Sequence, residues 1–318
     1  MTEHVPPILS IVIVSYNTKD MTLACLASVY AQTKIPFEVI VVDNASPDGS
    51  AAAIAAAYPQ VTLLAETDNL GFGPAHHVAM PHAVAPWVLL LNPDTLVLDG
   101  ALDKLLTFAQ ATPEAGIWGG RTVFADGQLN PASCWGRMTL WSLFCRTSGL
   151  TAIFPKSEVF NSEAFGAWSR DTQRQVDIVS GCFFLLKRDT WDDLGGFDPL
   201  FRMYGEEADL CLRGIAQGLR PMVTPTATIV HYGAASDTVR ADKVVRLLSA
   251  KVSLIQRHFG PVRGFIARQL LRLWPMTRAW GLHIFATFTG RKQARAKAQE
   301  WDQVWRRRVD WQDGFTPD

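Results

Sequence analysis

Four short apolar runs alternate with helical patterns through the amino-terminal third of the chain, and nothing else constrains its fold so tightly. Leu9–Val14, Phe37–Val42, Val61–Leu64 and Trp87–Leu91 are continuous and largely β-branched or aliphatic, as expected of strands buried on both faces. Between them, Asp20–Gln32 carries Leu23, Leu26, Ala27 and Tyr30 at three- and four-residue spacing, Ser50–Ala57 is rich in alanine, and Pro74–Ala83 forms a third helical stretch. This alternation predicts an α/β domain with a mostly parallel sheet covered by helices on both faces, in the order of a Rossmann-like nucleotide-binding half.

The chain has 318 residues, 48% of them hydrophobic, enough for one large domain plus an appendage. Its five cysteines (Cys25, Cys134, Cys145, Cys182, Cys211) are odd in number and show no C-x-x-C spacing. Neither a disulfide framework nor a structural zinc site is expected, and a reducing cytosol fits best. Met1–Pro7 has no basic patch leading into an apolar stretch, so no secretory signal is expected. No apolar run approaches the ~20 residues of a membrane span.

Net charge is zero, but residues 240–318 hold 16 Lys+Arg against 6 Asp+Glu, whereas residues 1–239 hold 14 against 24. The acidic body argues against nucleic acid as a partner, since phosphate contact needs a basic face. The composition changes most clearly near Thr238.

Carboxylates stand where strands end. Asp43 follows the second run and either accepts hydrogen bonds from a base or ribose or caps the next helix. In Asn69-Leu70-Gly71-Phe72-Gly73 the glycines permit either close approach to a ligand or a tight turn. Asn92-Pro93-Asp94 emerges after four apolar residues, where an acid either holds Mg²⁺ or Mn²⁺ against a diphosphate or belongs to a simple Asn-Pro turn. Glu206, Glu207 and Asp209 cluster at the mouth of a helix. There an acid also complements the dipole, the reading favoured for Asp209.

Ser10–Asn17, Val42–Ser46, Asn69–Phe72, Leu91–Asp94, and Gly195–Asp198 running on to Tyr204–Arg213 occur in the order seen in family-2 inverting glycosyltransferases of the GT-A fold. The chain resembles their rhamnosyltransferase-like branch over about residues 9–233, and five ordered motifs are specific where each alone is weak. The resemblance implies a GT-A Rossmann-like mixed sheet. It also implies that Asp43 contacts the pyrimidine base beside the Val14-Ser15-Tyr16 backbone. Asn69, Gly71, Phe72, Asn92, Gly181 and Glu206 then complete the donor site. Asp94 and His231 would hold the metal, with Asn92 departing from the fuller acidic motif. Glu207 would be the general base, although the family commonly has Asp there. His76 and His77, where relatives often carry Asn, have no assigned role.

Glycosyl transfer needs a base for the acceptor hydroxyl and an electrophile for the departing diphosphate, and a free carboxylate with a carboxylate-held metal supplies both. The expected donor is a dTDP- or UDP-linked sugar, best dTDP-L-rhamnose, and the acceptor a saccharide or, more narrowly, a lipid-linked saccharide. The alternatives are another nucleotide-sugar, a nucleotidyltransferase, or a catalytically silent carbohydrate-binding scaffold. Trp135, Trp141 and Trp168 lie in an irregular-looking stretch and serve either acceptor stacking or core packing. The expected division is a catalytic domain over 1–238, with a donor half at about 9–125 and an acceptor half at about 126–238, then a helical tail over 239–318.

In that tail, Val244, Leu247, Leu248, the Lys251 stem, Leu254 and Ile255 form one stripe. Beyond it Arg263, Arg268, Arg272 and Arg278 interleave with Phe265, Ile266, Leu270, Leu271, Leu273 and Trp274. A basic amphipathic helix of this kind suits an anionic membrane surface, here the inner face of the plasma membrane, and equally suits packing on the domain. Pro275 is expected to kink or end the helix.

Overall fold

The computed structural model describes residues 5–233 and 240–316. Strands β1 (Leu9–Ser15), β2 (Phe37–Asp43), β3 (Thr62–Ala65) and β4 (Trp87–Leu91) pair in parallel in the order β3-β2-β1-β4. Helices α1 (Lys19–Gln32), α2 (Ser50–Ala57) and α3 (Phe72–Ala79) connect them, and α3 tightens to a 3₁₀ turn over Met80–His82. The chain steps outward from β1 to β2 and β3, then returns to β4 on the other side of β1. That reversal opens a crevice beyond the carboxyl ends of β1 and β4, the position where open α/β sheets bind ligands.

Beyond β4 the sheet becomes mixed. β5 (Thr95–Val97), α4 (Ala101–Ala111) and β6 (Ile117–Val123) come first, then the two-residue strands β7 (Leu129–Asn130) and β8 (Cys134–Trp135). Helices α5 (Leu140–Ser148) and α6 (Leu150–Ile153) follow, then the short strands β9 (Arg174–Gln175) and β10 (Ile178–Val179). β11 (Phe183–Lys187), α7 (Arg188–Leu194), α8 (Glu206–Ala216) and β12 (Met222–His231) complete this part. β11 lies antiparallel between β4 and β6, β12 runs parallel to β6, and β5 closes the far edge antiparallel to β12. Ile11, Ile13, Val39, Val41, Leu89 and Leu91 bury against Leu26 and Val29 of α1 and Leu102 and Leu105 of α4. Each such side chain contributes roughly 1.5–3 kcal/mol on leaving water.

The chain divides into two compact units. The first comprises Met1–Trp135, Ser169–Arg202 and Glu206–Ser236 and contains the whole ten-stranded sheet. The second joins Gly136–Trp168 and Met203–Gly205 to Asp237–Asp318. The boundary expected near Thr238 falls in 234–239, outside the described residues.

Within the second unit, α9 (Arg240–His258), α10 (Pro261–Thr289) and α11 (Lys292–Arg306) pack with α5 around Leu143, Leu248, Val252, Ile255, Leu271 and Trp311. Three expectations change here. The stretch around Trp141 is helical rather than irregular, because Thr139 and Ser142 form a reciprocal capping box at the start of α5. Lys251 contributes more than its stem: its ammonium lies 3.2 Å from the buried Glu163, which also pairs with Arg146 at 2.7 Å. Burial works to raise the Glu163 carboxyl, but Lys251 and Arg146 outweigh it and hold the group below its ordinary value. Finally, α10 does not end at Pro275 but runs through it, with Pro275 buried on the face packed within the unit. The packing on either side sustains the helix despite the lost backbone donor.

Candidate active site

The loops after β1, β2 and β4 meet at one edge of the first unit. Ser15 and Asp43 are register partners at the ends of β1 and β2, and the Asn44 N–H donates to the Ser15 carbonyl at 2.8 Å. Asp43 is buried. Its Oδ2 accepts from the Ser46 N–H at 3.1 Å, while Oδ1, also buried, has no protein partner. Val14 and Ser15 are buried beside it, whereas Tyr16 is exposed.

Asn44 was not singled out by the sequence reading, yet it ties two motifs together. Its Nδ2 donates to the Asn69 Oδ1 and the Gly71 carbonyl, both at 3.1 Å, and its Oδ1 accepts from the Leu70 N–H at 2.8 Å. Its place directly after Asp43 was the available signal. Gly71 adopts φ +88°, and a Cβ there would lie 2.8 Å from the Arg202 carbonyl oxygen. Phe72 N–H donates to that same oxygen at 2.8 Å. The glycine therefore serves a close approach of the chain to itself.

His76 and His77 are structural. His76 donates from Nδ1 to the Phe72 carbonyl at 2.8 Å, and burial pushes its pKa down to about 4. His77 donates from Nε2 to the Phe197 carbonyl at 2.6 Å.

Asp94 lies between β4 and β5 and is buried. Pairing of β5 with β12 sets Thr95 opposite His231, so that His231 Nε2 stands 3.5 Å from Asp94 Oδ1. The Gly233 N–H donates to Asp94 Oδ2 at 3.0 Å. Burial works to raise the Asp94 carboxyl, but the His231 hydrogen bond and charge, with the Gly233 N–H, hold it below its ordinary value. Burial likewise works to lower His231; the influence of Cys182 and Asp94 is greater and pushes it up to about 10.

The donor set suits a divalent cation that displaces the His231 proton: one hard carboxylate beside one imidazole, with the buried Asn92 Oδ1 and His231 Nδ1 lacking protein partners. Among the described residues no cluster of three or more His, Cys, Asp or Glu side chains forms a complete cage. A cation held here would take its remaining oxygens from a phosphate ligand or from water, as Mg²⁺ commonly does.

At the start of α8 two adjacent acids have different surroundings. Glu206 is buried, its Oε2 has no hydrogen-bond partner, and burial followed by the charge of Glu207 raises its pKa well above the ordinary value. Glu207 is half-buried and close to Gly181 and Phe72: a Cβ on Gly181 would lie 3.5 Å from the Phe72 ring and 3.8 Å from the Glu207 Cβ. Asp209 does more than complement the helix dipole. It is fully buried and accepts from Arg213 Nε at 2.7 Å, while Arg213 also donates to the carbonyls of Leu194 and, at 2.7 Å, Gly196. That clamp fixes α8 to the glycine turn after α7.

A parallel β-α-β half with Asp43 and Asp94 at its strand ends, and acids at the start of a separate helix, is the arrangement of the GT-A fold. The Glycosyl transferase family 2 profile matches residues 10–192, more than half of the chain, and the chain belongs to that family. It is a glycosyltransferase, and its relatives include a rhamnosyltransferase. Among its relatives is the N-acetylglucosaminyl-diphospho-decaprenol L-rhamnosyltransferase of Mycobacterium tuberculosis, 29% identical over 247 residues, covering 72% of this chain and 77% of that protein. The O-antigen biosynthesis protein RfbC of Myxococcus xanthus is 29% identical over 248 residues, covering 75% of this chain and 18% of that protein. Of solved structures, a mannosyltransferase from Pyrobaculum calidifontis in complex with GDP-Man and Mn²⁺ shares the fold with a TM-score of 0.59 at 20% identity. It covers 95% of this chain and 86% of that one.

Proposed function

We propose that this glycosyltransferase moves L-rhamnose from dTDP-L-rhamnose to a lipid-linked saccharide at the inner face of the plasma membrane, during assembly of a cell-surface polysaccharide. The observation that carries the site assignment is the orphaned polar atoms. Asp43 Oδ1, Asn92 Oδ1 and His231 Nδ1 are buried without a protein partner at the strand-end positions expected to meet a nucleotide diphosphate and its metal. Leaving three such atoms unmatched costs about 1–3 kcal/mol each unless a ligand satisfies them. The choice of rhamnose and of a lipid-linked acceptor is supported by the name of the mycobacterial relative alone.

In this reading Asp43 receives the base, the Val14-Ser15-Tyr16 backbone borders it, and Asn69, Gly71, Phe72, Gly181 and Glu206 enclose the donor. Asp94 and His231 hold Mg²⁺ or Mn²⁺. A bound divalent cation supplies charge neutralisation for the leaving diphosphate. Glu207 takes the proton from the acceptor hydroxyl as its oxygen bonds to the anomeric carbon. The bond to the diphosphate oxygen breaks in the same displacement, with inversion and no protein nucleophile. Another dTDP- or UDP-sugar fits the same geometry.

The deciding experiment screens purified protein against nucleotide-sugars with Mg²⁺ or Mn²⁺, reading donor hydrolysis and melting temperature. Selective response to dTDP-L-rhamnose is expected. Equal indifference of Asp43→Ala and wild-type protein to every donor would overturn the site assignment, and preference for another sugar would overturn only the donor.

A further inference from the structure

Helix α10 of the second unit has two unlike faces. Gly264, Ala267, Leu271, Pro275, Ala279 and Ala286 are buried against the rest of the unit. The opposite face carries Phe265, Leu273, Met276, Trp280, Ile284 and Phe288, all exposed, Trp280 at 68% and Phe288 at 86%. At 100° per residue these six side chains fall within an arc of about 140° and extend along most of a helix about 43 Å long. Arg263 and Arg272, both exposed, flank the arc about 20° outside its two edges. The helix contains four arginines and no acidic residue. Exposed aromatics on a helix beside it continue the theme. Trp141 and Phe144 of α5 stack at 5.7 Å and are each nearly half exposed, and Thr147 of α5 donates to the Leu270 carbonyl of α10 at 2.8 Å.

We infer that the Phe265–Phe288 face of α10 lies in the interface of an anionic lipid bilayer, with Arg263 and Arg272 on the phosphate groups at its flanks. The inference rests on the membrane placement given above and names the surface that makes it. A water-facing stripe this long would be a large unpartnered apolar patch, and an apolar arc bordered by cations with no acid matches an anionic headgroup region. The helix does not cross the bilayer: no helix among the described residues is long and apolar enough to span one. Arg278 does not take part. It lies 6.0 Å from the Trp301 ring, and burial, then the nearby Arg146, lowers its pKa. Arg268 is only half exposed. Substituting these two would disturb packing as well as charge.

The test is co-sedimentation of the full chain with phosphatidylcholine vesicles, with and without phosphatidylglycerol, alongside donor hydrolysis and thermal unfolding. Wild-type protein is expected to bind the phosphatidylglycerol vesicles and to be partly released by salt, because surface attraction is screened within about 10 Å at 0.1 M. Arg263→Gln with Arg272→Gln should weaken binding about 30-fold, and Trp280→Ser with Phe288→Ser at least about 10-fold. Both pairs should melt within about 2 °C of wild type, because all four side chains are exposed. If wild type binds and both double variants bind equally well, the face is misassigned while membrane association stands. If wild type ignores the vesicles at low salt, both fall. If Trp280→Ser with Phe288→Ser instead turns a dimer into a monomer and lipid has no effect, the face is an interface between copies of the chain.

Discussion

Glu206→Gln replaces a buried carboxyl group with a neutral amide of nearly the same shape, and its effect on stability should depend on pH in a defined direction. In the folded chain burial, and then repulsion from Glu207, raise the Glu206 pKa well above 4.5. The unfolded chain releases that proton near 4.5, the folded chain only at higher pH. Between those values the folded state binds more protons, so wild-type stability is full below the unfolded pKa and declines as pH rises toward the folded one. The slope for one such group is about 1.4 kcal/mol per pH unit, which corresponds to roughly 3–6 °C in melting temperature per unit for a domain of about 150–250 residues. Glutamine has no proton to lose. Thermal unfolding of both proteins from about pH 4 to 8 should give curves that converge in acid and separate steadily above it, the variant being the more stable. Transfer activity should persist, because Glu207 remains. Parallel curves would mean that Glu206 is ionised in the folded protein. A loss of turnover larger than that of Glu207→Gln would mean that the base is Glu206.

Glu207→Gln should retain donor binding and lower turnover by at least about 10²-fold, with partial recovery in Glu207→Asp, as single-turnover measurements would show. Asp94→Asn keeps the shape that meets the Gly233 N–H. It should abolish the metal-dependent rise in melting temperature with donor and also lower the metal-free melting temperature, because His231 loses its buried partner; unchanged metal dependence would remove Asp94 from the site. Asp43→Ala should raise KM for the donor more than it lowers kcat, since contact with the base is the same in ground and transition states. A large fall in kcat with KM unaltered would count against base recognition.

Residues near in sequence supplied the class of this protein by themselves. The first four strands and the helices between them are set by local periodicity, and Asp43 and Asp94 were legible because a polar residue directly after a buried run must emerge at the sheet's edge. What lay beyond was decided by contacts between distant segments. His231 reaches Asp94 only through the antiparallel register of β5 with β12, which no local pattern encodes. Gly71 reads alike whether a ligand or the chain's own Arg202 carbonyl approaches it. Glu206 and Glu207 are adjacent, equal acids in sequence, and only burial distinguishes the one whose pKa is raised from its half-buried neighbour. The second unit was the least visible, because α5 comes from the middle of the chain to pack with α9, α10 and α11. In α10 many large apolar residues, Trp280 and Phe288 among them, are exposed while Gly264, Ala267, Ala279 and Ala286 lie inside beside Leu271, against the ordinary assumption that size and hydrophobicity mark the buried face.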